Sequence, residues 1–565
     1  MVDPSNPKPA TQPTPPSGSE PPESSPAAVT VAVAPGPAVA PGPAVAPGPA
    51  VATAAGPLSH PPRPFLGVRW PGPGRVAAPV VLGVSVAAGV VAAATLPWDR
   101  PGIGWLVTGT VVAAGTAAAR AAARTQAGPP AARLVSGAWA LCALALLGVG
   151  AVRGAGWLFV FCVLGAYVAG SLAVSGGRSA QGLLLGTLSV PIAAIRALPW
   201  ASRGVSEVRG RPGGSAIRTA AAAAVGLALL VVFGSLLAGA DAAFANLLDR
   251  ALPTVDGARV FRWIFFFSVV GLGTLGGCFL ALATPEFDGE PSTRRPLRRV
   301  EWALPTGLLV GLFAAFVAVQ LTVLFGGGDH VLRTAGLTYA EYARSGFWQL
   351  VAVTGLTLAV LAVAARKASR ETTADRVWIR AVLGALAVLT LVIVASALSR
   401  MWAYEQAYGF TRLRVLVSAC ELWLGVVFLL VLVAGIGFRP AGRAAWLPGA
   451  VLGTGLAALV ALGAVNPDRF IADQNVTRYQ QTGRIDVDYL RDLSPDAVPA
   501  LNRLPEPLRT CALVGIADDL AESGPDAWNE WNLGRSQARR ELTGYTGPTL
   551  EQVLACRQIT SAAVR

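Results

Sequence analysis

The chain has 565 residues, 53% of them hydrophobic and only 14% charged, with a mean hydropathy of +0.54 and a formal net charge of +13. A soluble chain carries about 25% charged residues, so a water-soluble globule is excluded. The positive charge falls in short arginine clusters between apolar runs, which is a topology pattern. With no basic recognition motif beside it, nucleic acid is not an expected partner.

Residues 1–62 are rich in Pro, Ala, Ser and Gly, and the unit Ala-Val-Ala-Pro-Gly-Pro repeats from Ala32 to Pro49. Proline at every second or third place removes donors and blocks helix, so an extended or disordered cytoplasmic tail is expected. It has neither the basic start nor the apolar core of a signal peptide. A linker is the plain reading; a proline-rich docking motif is the sharper one. Lysine occurs only at Lys8 and Lys367, beside abundant Ala, Gly, Val, Arg and Pro, a bias that points to a GC-rich bacterial genome.

Eleven apolar runs follow, near 78–97, 103–119, 134–152, 156–174, 218–239, 263–284, 303–325, 348–365, 378–398, 415–436 and 445–465. Each approaches the length of about 20 residues that a helix needs to cross the hydrocarbon core. Backbone groups in lipid must be satisfied within their own segment, so the runs should be helices. The expected fold class is all-α: a polytopic bundle of about eleven transmembrane helices, four over 78–174 and seven over 218–465. Tryptophans at many proposed edges, such as Trp98, Trp157, Trp302 and Trp446, suit an aromatic belt.

Arginine clusters orient the bundle. Arg120, Arg124 and Arg133, then Arg203, Arg209 and Arg211, then Arg294, Arg295, Arg298 and Arg299 occupy alternate loops, as do Arg366, Arg370, Arg439 and Arg443. Basic loops stay in the cytoplasm, which puts the N-terminus inside and the tail after 465 outside. Residues 179–200 would break the alternation if they crossed. They hold Gln181, Pro191 and Arg196, so 175–217 is expected to be a cytoplasmic loop carrying an interfacial helix. Residues 466–565 turn polar and should form a small helical extracytoplasmic region.

No phosphate loop, paired-histidine motif or nucleophile elbow is present, and the two histidines are His60 and His330. No catalytic set emerges, and neither metal nor cofactor is expected. Four cysteines lie in spans; Cys511 and Cys556 form an even pair in the exported tail, where a disulfide is allowed. Glycines at Gly273/Gly277, Gly307/Gly311 and Gly449/Gly453 have the spacing of close helix contacts.

The outer junctions carry the chemistry-bearing residues. Tyr339, Glu341, Tyr342 and Arg344 follow the seventh run. Arg400, Tyr404, Glu405, Tyr408, Arg412 and Arg414 surround the loop after the ninth, and Asp468 and Arg469 follow the eleventh. Mutual salt bridging with an aromatic belt is one reading; an outward polar cluster that binds a ligand or partner is the other. Glu421 sits two turns into the tenth run, one heptad below Arg414 and on nearly the same face. A carboxylate there costs roughly 2.5–3.5 kcal/mol unless paired or hydrated, so it should face the interior and reach Arg400 or Arg412. A structural pair and a proton or substrate site are both open.

The stretches Thr338–Phe347 and Tyr408–Arg414, with Asn466-Pro467-Asp468 and Asp488-Tyr489-Leu490, resemble a bacterial polytopic family, the domain of unknown function numbered 4173, close to number 4153. The resemblance covers about 215–500 and implies a bacterial inner-membrane protein with no established chemistry. A signalling or cell-envelope protein that binds a partner is the favoured function. A secondary transporter with Glu421, Arg414 and Gln320 along its path is the alternative, though no convincing internal repeat supports it. An enzyme on a lipid-linked substrate is third.

Overall fold

The computed structural model describes residues 70–123, 129–210, 256–288, 297–325, 347–369, 372–436 and 445–545, except Pro71, with scattered positions in 219–244 and 547–556. The chain divides into units 1–62 and 63–565, and the described residues all lie in the second. The proline-rich tail, His330, and the junction with Tyr339, Glu341, Tyr342 and Arg344 therefore lie outside the described residues.

The fold is an all-α polytopic bundle. Its helices are α1 (Pro79–Thr95), α2 (Ile103–Ala122), α3 (Pro130–Val152), α4 (Gly156–Ser175), α5 (Ala180–Thr187), α6 (Ser189–Arg209), α7 (Gly257–Leu282), α8 (Arg299–Phe325), α9 (Phe347–Lys367), α10 (Thr373–Tyr408), α11 (Arg412–Ile436) and α12 (Leu447–Val465). A polar region follows with α13 (Pro467–Thr482), α14 (Val487–Arg491), α15 (Val498–Leu501), α16 (Leu508–Glu522) and α17 (Leu533–Glu541). Among the described residues eight helices are long and apolar enough to cross a membrane, nine if the bent pair α5–α6 counts as one.

The expected count was higher for three reasons. The run at 218–239 lies mostly outside the described residues. At 17 residues α1 is short, and α2 is diluted by Gly104, Gly109, Gly115, three threonines and Arg120. Both still pack as full members of the bundle. Gly89 of α1 lies against Phe267 of α7, and Gly271 of α7 lies against the Ser85 carbonyl, so the two helices run antiparallel in close contact.

That contact corrects the expected glycine pairs. A Cβ added at Gly273, Gly307, Gly311 or Gly449 would meet nothing within 4 Å. The intimate approach on α7 is at Gly276 instead, where a Cβ would come 2.7 Å from the Ala194 amide of α6. Small-residue spacing marks where a helix can be approached, and the neighbour decides which glycine is used.

One end of the bundle carries the chain entering α1, the α4–α5 turn, the α7–α8 connection and the α9–α10 turn. Asp288 accepts from the Arg178 and Ser179 amides at 2.8–3.1 Å, and Leu297 donates to the Lys367 carbonyl at 2.8 Å. Thr372 and Asp375 form a reciprocal capping box on α10, and Arg299 adds a 2.6 Å ion pair to Asp375. Helices α5 and α6 meet at a 55° bend, and α6 is fastened at this end. Trp200 donates to the Arg75 carbonyl at 2.6 Å and packs on Phe279, and Arg196 donates to the Trp70 carbonyl. All these partners precede α1 or belong to the last turn of α7.

The opposite end is capped by α13–α17. Ile471, Leu490, Val498, Leu501, Leu513 and Ile516, each at most 2% exposed, form its core. Phe410 and Val415 of the bundle join the same cluster. Cys511 and Cys556 are disulfide-bonded, with Cα atoms 5.5 Å apart.

Candidate functional site: the joint at the capped end

The joint begins where α12 ends. Asn466 adopts a left-handed conformation (φ 61°), which Asn tolerates better than most residues. Its side chain then caps α13 by accepting from the Arg469 amide. Pro467 supplies the first helical residue, whose amide would have had no partner anyway. The turn reverses the chain and puts Asp468 directly beneath the capping helices.

Asp468 has no exposed surface and is the centre of the joint. Arg412 donates to both of its oxygens, Nε to Oδ1 at 3.0 Å and Nη2 to Oδ2 at 2.6 Å. Trp157 Nε1 donates to Oδ1 at 3.1 Å, and the Ser494 amide to Oδ2 at 2.9 Å. Burial alone would raise this carboxyl, but the Arg412 hydrogen bonds and charge, with the Ser494 donors, hold it below its ordinary value. Arg412 is held in turn, because its amide donates to the Tyr489 hydroxyl at 2.6 Å.

A second carboxylate behaves oppositely. Asp496 accepts from the Gly154 amide at 2.7 Å and the Ser494 hydroxyl at 3.2 Å. Burial raises it, and these donors with Arg153 offset only part of that rise. Beside it Asn532 donates to the Gly150 and Arg153 carbonyls, both at 2.8 Å, which satisfies the open end of α3.

Along α13, Asn475 and Arg478 follow Asp468 at intervals of seven and three residues, close to one face. Asn475 receives the Phe410 amide and donates to the Phe410 carbonyl, at 3.1 and 2.9 Å. Arg478 donates to the Gln406 and Ala407 carbonyls at the end of α10. Arg414 serves the same end: it donates to the Tyr408 and Gly409 carbonyls and lies 4.5 Å over the Tyr404 ring. Cations at helix C-termini are favourable there. A third fastening joins Arg100, in the α1–α2 loop, to Asp526 at 3.4 Å and to the Ser523 carbonyl at 2.9 Å.

The proposed cluster thus separates into parts. Arg412, Arg414, Tyr404 and Asp468 belong to the joint. Arg469 turns away to Asp473, and Tyr408 is 52% exposed. Arg400 donates to Gln320 of α8. Glu405 and Glu421 are buried, and each has one carboxylate oxygen without a hydrogen-bond partner among the described residues. The expected pairing of Glu421 with Arg412 is not observed, because Asp468 takes that guanidinium whole.

Trp157, Asn475, Ser494, Asp496 and Asn532 were not foreseen as members. Their partners are far away in the chain; Trp157 and Asp468 are separated by 311 positions. Only the Asn466-Pro467 turn offered a local signal.

The model of the family described as Domain of unknown function (DUF4153) matches residues 141–504, well over half of the chain. The chain belongs to the DUF4153 family. The DUF4153 region starts inside α3, well before the expected boundary near 215, and ends just after α15. It includes Trp157, Arg412, Asp468, Asn475, Ser494 and Asp496, and leaves out Arg100, Asp526 and Asn532. No curated protein and no solved structure matches the chain.

Proposed function

We propose that this is a bacterial inner-membrane protein whose capping region lies outside the cytoplasm, receives a signalling or cell-envelope partner, and relays that contact to the bundle. The joint carries the reading. Partly buried, charge-assisted hydrogen bonds tie the cap to the α1–α2 and α3–α4 loops and the start of α11, so displacement of the cap is felt by several helices at once. The arginine bias supports the orientation. In addition, the described connections fall at two ends, α4–α5 and α9–α10 at one and α1–α2, α3–α4, α10–α11 and α12–α13 at the other, which supports a non-crossing α5–α6. Ile192, Ile195 and Leu198 on the outward face of α6 suit an interfacial helix.

A transport reading is favoured by one observation: Glu405 and Glu421 are buried on adjacent helices with oxygens left unsatisfied. Complementation of a deletion strain separates the two. Under the relay reading, Arg412→Ala abolishes the phenotype while Glu421→Gln preserves it; the reverse result supports transport. Alkaline phosphatase and a cytoplasm-active fluorescent protein fused after Arg565 test the orientation. Fluorescence with silent phosphatase overturns it.

A further inference from the structure

Helices α2, α3, α4 and α7 do not close on one another; they border a half-open cavity of about 1030 Å³. Ligand sites run from about 300 to 1,000 Å³, so this one is large. Its shape follows α2, which lines it from Trp105 to Arg120, a rise of about 22 Å at 1.5 Å per residue. One leaflet is about 15 Å deep, half the hydrocarbon core, so the cavity is a slot longer than a leaflet.

Chemistry along the slot is graded. From Trp105 through Leu144, Leu147 and Val270 the walls are mostly apolar, and the hydroxyls of Thr108 and Thr274 are taken by Thr95 and the Val270 carbonyl. At the other end stand Arg120 and Arg133, and no carboxylate lines the slot among the described residues. Arg120 lies 3.4 Å from the Ser136 hydroxyl, which itself donates to the Ala173 carbonyl, so the serine holds the guanidinium at the mouth. Arg133 is exposed on the first turn of α3 at the same mouth. Two guanidiniums at the rim of a low-dielectric slot favour an anion with a long apolar tail, and guanidinium matches phosphate through paired hydrogen bonds.

We propose that this slot is a binding site for one anionic phospholipid, with its phosphate at Arg120 and Arg133 and an acyl chain along α2. The lipid comes from the leaflet on the Arg120 side of the bundle. Its arginine mouth lies at the end opposite the joint, while its apolar end, at Leu96 and Trp105, reaches the capped end.

Two glycines make the proposal testable without unfolding the protein. Gly137 and Gly273 line the slot, and a Cβ added at either meets nothing within 4 Å. Gly137→Leu with Gly273→Leu should obstruct the slot where the acyl chain would lie and favour helix. The full-length protein is purified, delipidated and offered phosphatidylglycerol or phosphatidylcholine, with bound lipid counted by native mass spectrometry and melting followed in parallel. Wild type should retain one phosphatidylglycerol with a preference of about 10-fold or more, the order expected of two arginines near a charged headgroup. Arg133→Gln, and Arg120→Gln with Arg133→Gln, should lose the preference. The filled variant should lose the retained lipid while keeping its helical circular dichroism. Equal retention by wild type and the filled variant overturns the slot. An undiminished preference in the arginine variants overturns the headgroup assignment. Stabilisation by inorganic phosphate equal to that by the lipid also overturns the proposal, since the acyl chain would then contribute nothing.

Discussion

Arg412 grips Asp468 with two hydrogen bonds, 3.0 and 2.6 Å long, across the boundary between the bundle and its cap. The pair is asymmetric: the carboxylate is fully buried, while the arginine side chain keeps 31% of its surface. Losing the arginine therefore strands a charge, and losing the aspartate does not.

Arg412→Ala should destabilise the joint by about 3–5 kcal/mol, the usual penalty for leaving a buried charge uncompensated. Arg412→Lys should recover only part of this, because an ammonium cannot reproduce the two-point contact. Limited proteolysis of the detergent-extracted protein measures release of the cap. Identical digestion of wild type and Arg412→Ala would show that Asp468 is not held by this pair.

Acid should loosen the same joint. Asp468 has a depressed folded value, so its contribution is complete above the ordinary carboxylate range and is lost as pH falls through the folded value. Cap release should rise as the buffer is taken from pH 7 toward 3, and Asp468→Asn should flatten that profile. A wild-type profile as flat as the variant's would contradict the linkage.

Asp496 should show the opposite slope. Its folded value is raised, so the fold binds the proton more tightly than the unfolded chain and loses that stability as pH rises through the folded value. Asp496→Asn keeps an acceptor for the Gly154 amide without the buried charge. We expect melting at pH 7 that matches or exceeds wild type. A fall of several degrees would mean that the ionised group is needed.

Replacing Cys511 and Cys556 by serine should cost about 4 kcal/mol in the chain-entropy model for a separation of 45 residues. The reduced wild type should match the double serine variant in protease sensitivity of the cap. No difference between oxidised and reduced protein would count against a stabilising bridge.

Glu421→Gln should leave the melting temperature unchanged or raise it, since the side chain is buried with an unsatisfied oxygen and Arg412 is committed elsewhere. A large drop in melting would point to a partner for the carboxylate that Gln cannot replace.

The spans were legible because a membrane helix states its requirement locally: a run of apolar residues, bounded by tryptophan and arginine. The joint was legible only in part. Arg412 and Asp468 stood out as charges beside apolar runs, yet their pairing depends on Asn466 turning the chain back, a matter of one residue's dihedral angle. Glu421 was matched with Arg412, which Asp468 takes, for the same reason. Helical periodicity placed Arg414 and Glu421 on one face, but the α10 C-terminus holds Arg414. Asp496 and Asn532 gave no signal, since their partners are backbone groups of the α3–α4 turn.

The fastening of Arg100 to Ser523 joins positions 423 residues apart. During synthesis the α1–α2 loop is made before α2–α12, while its partner is made only after them. Loop closure over that length is slow compared with local helix packing, and domains made first generally fold first. The bundle must therefore assemble with this rim open, and the cap seats last as a clasp. Until Asp526 is made, the described membrane helices stand without this closure. Maturation at this face is thus governed by whether the cap segment arrives, a control point set by chain order rather than by any single bond.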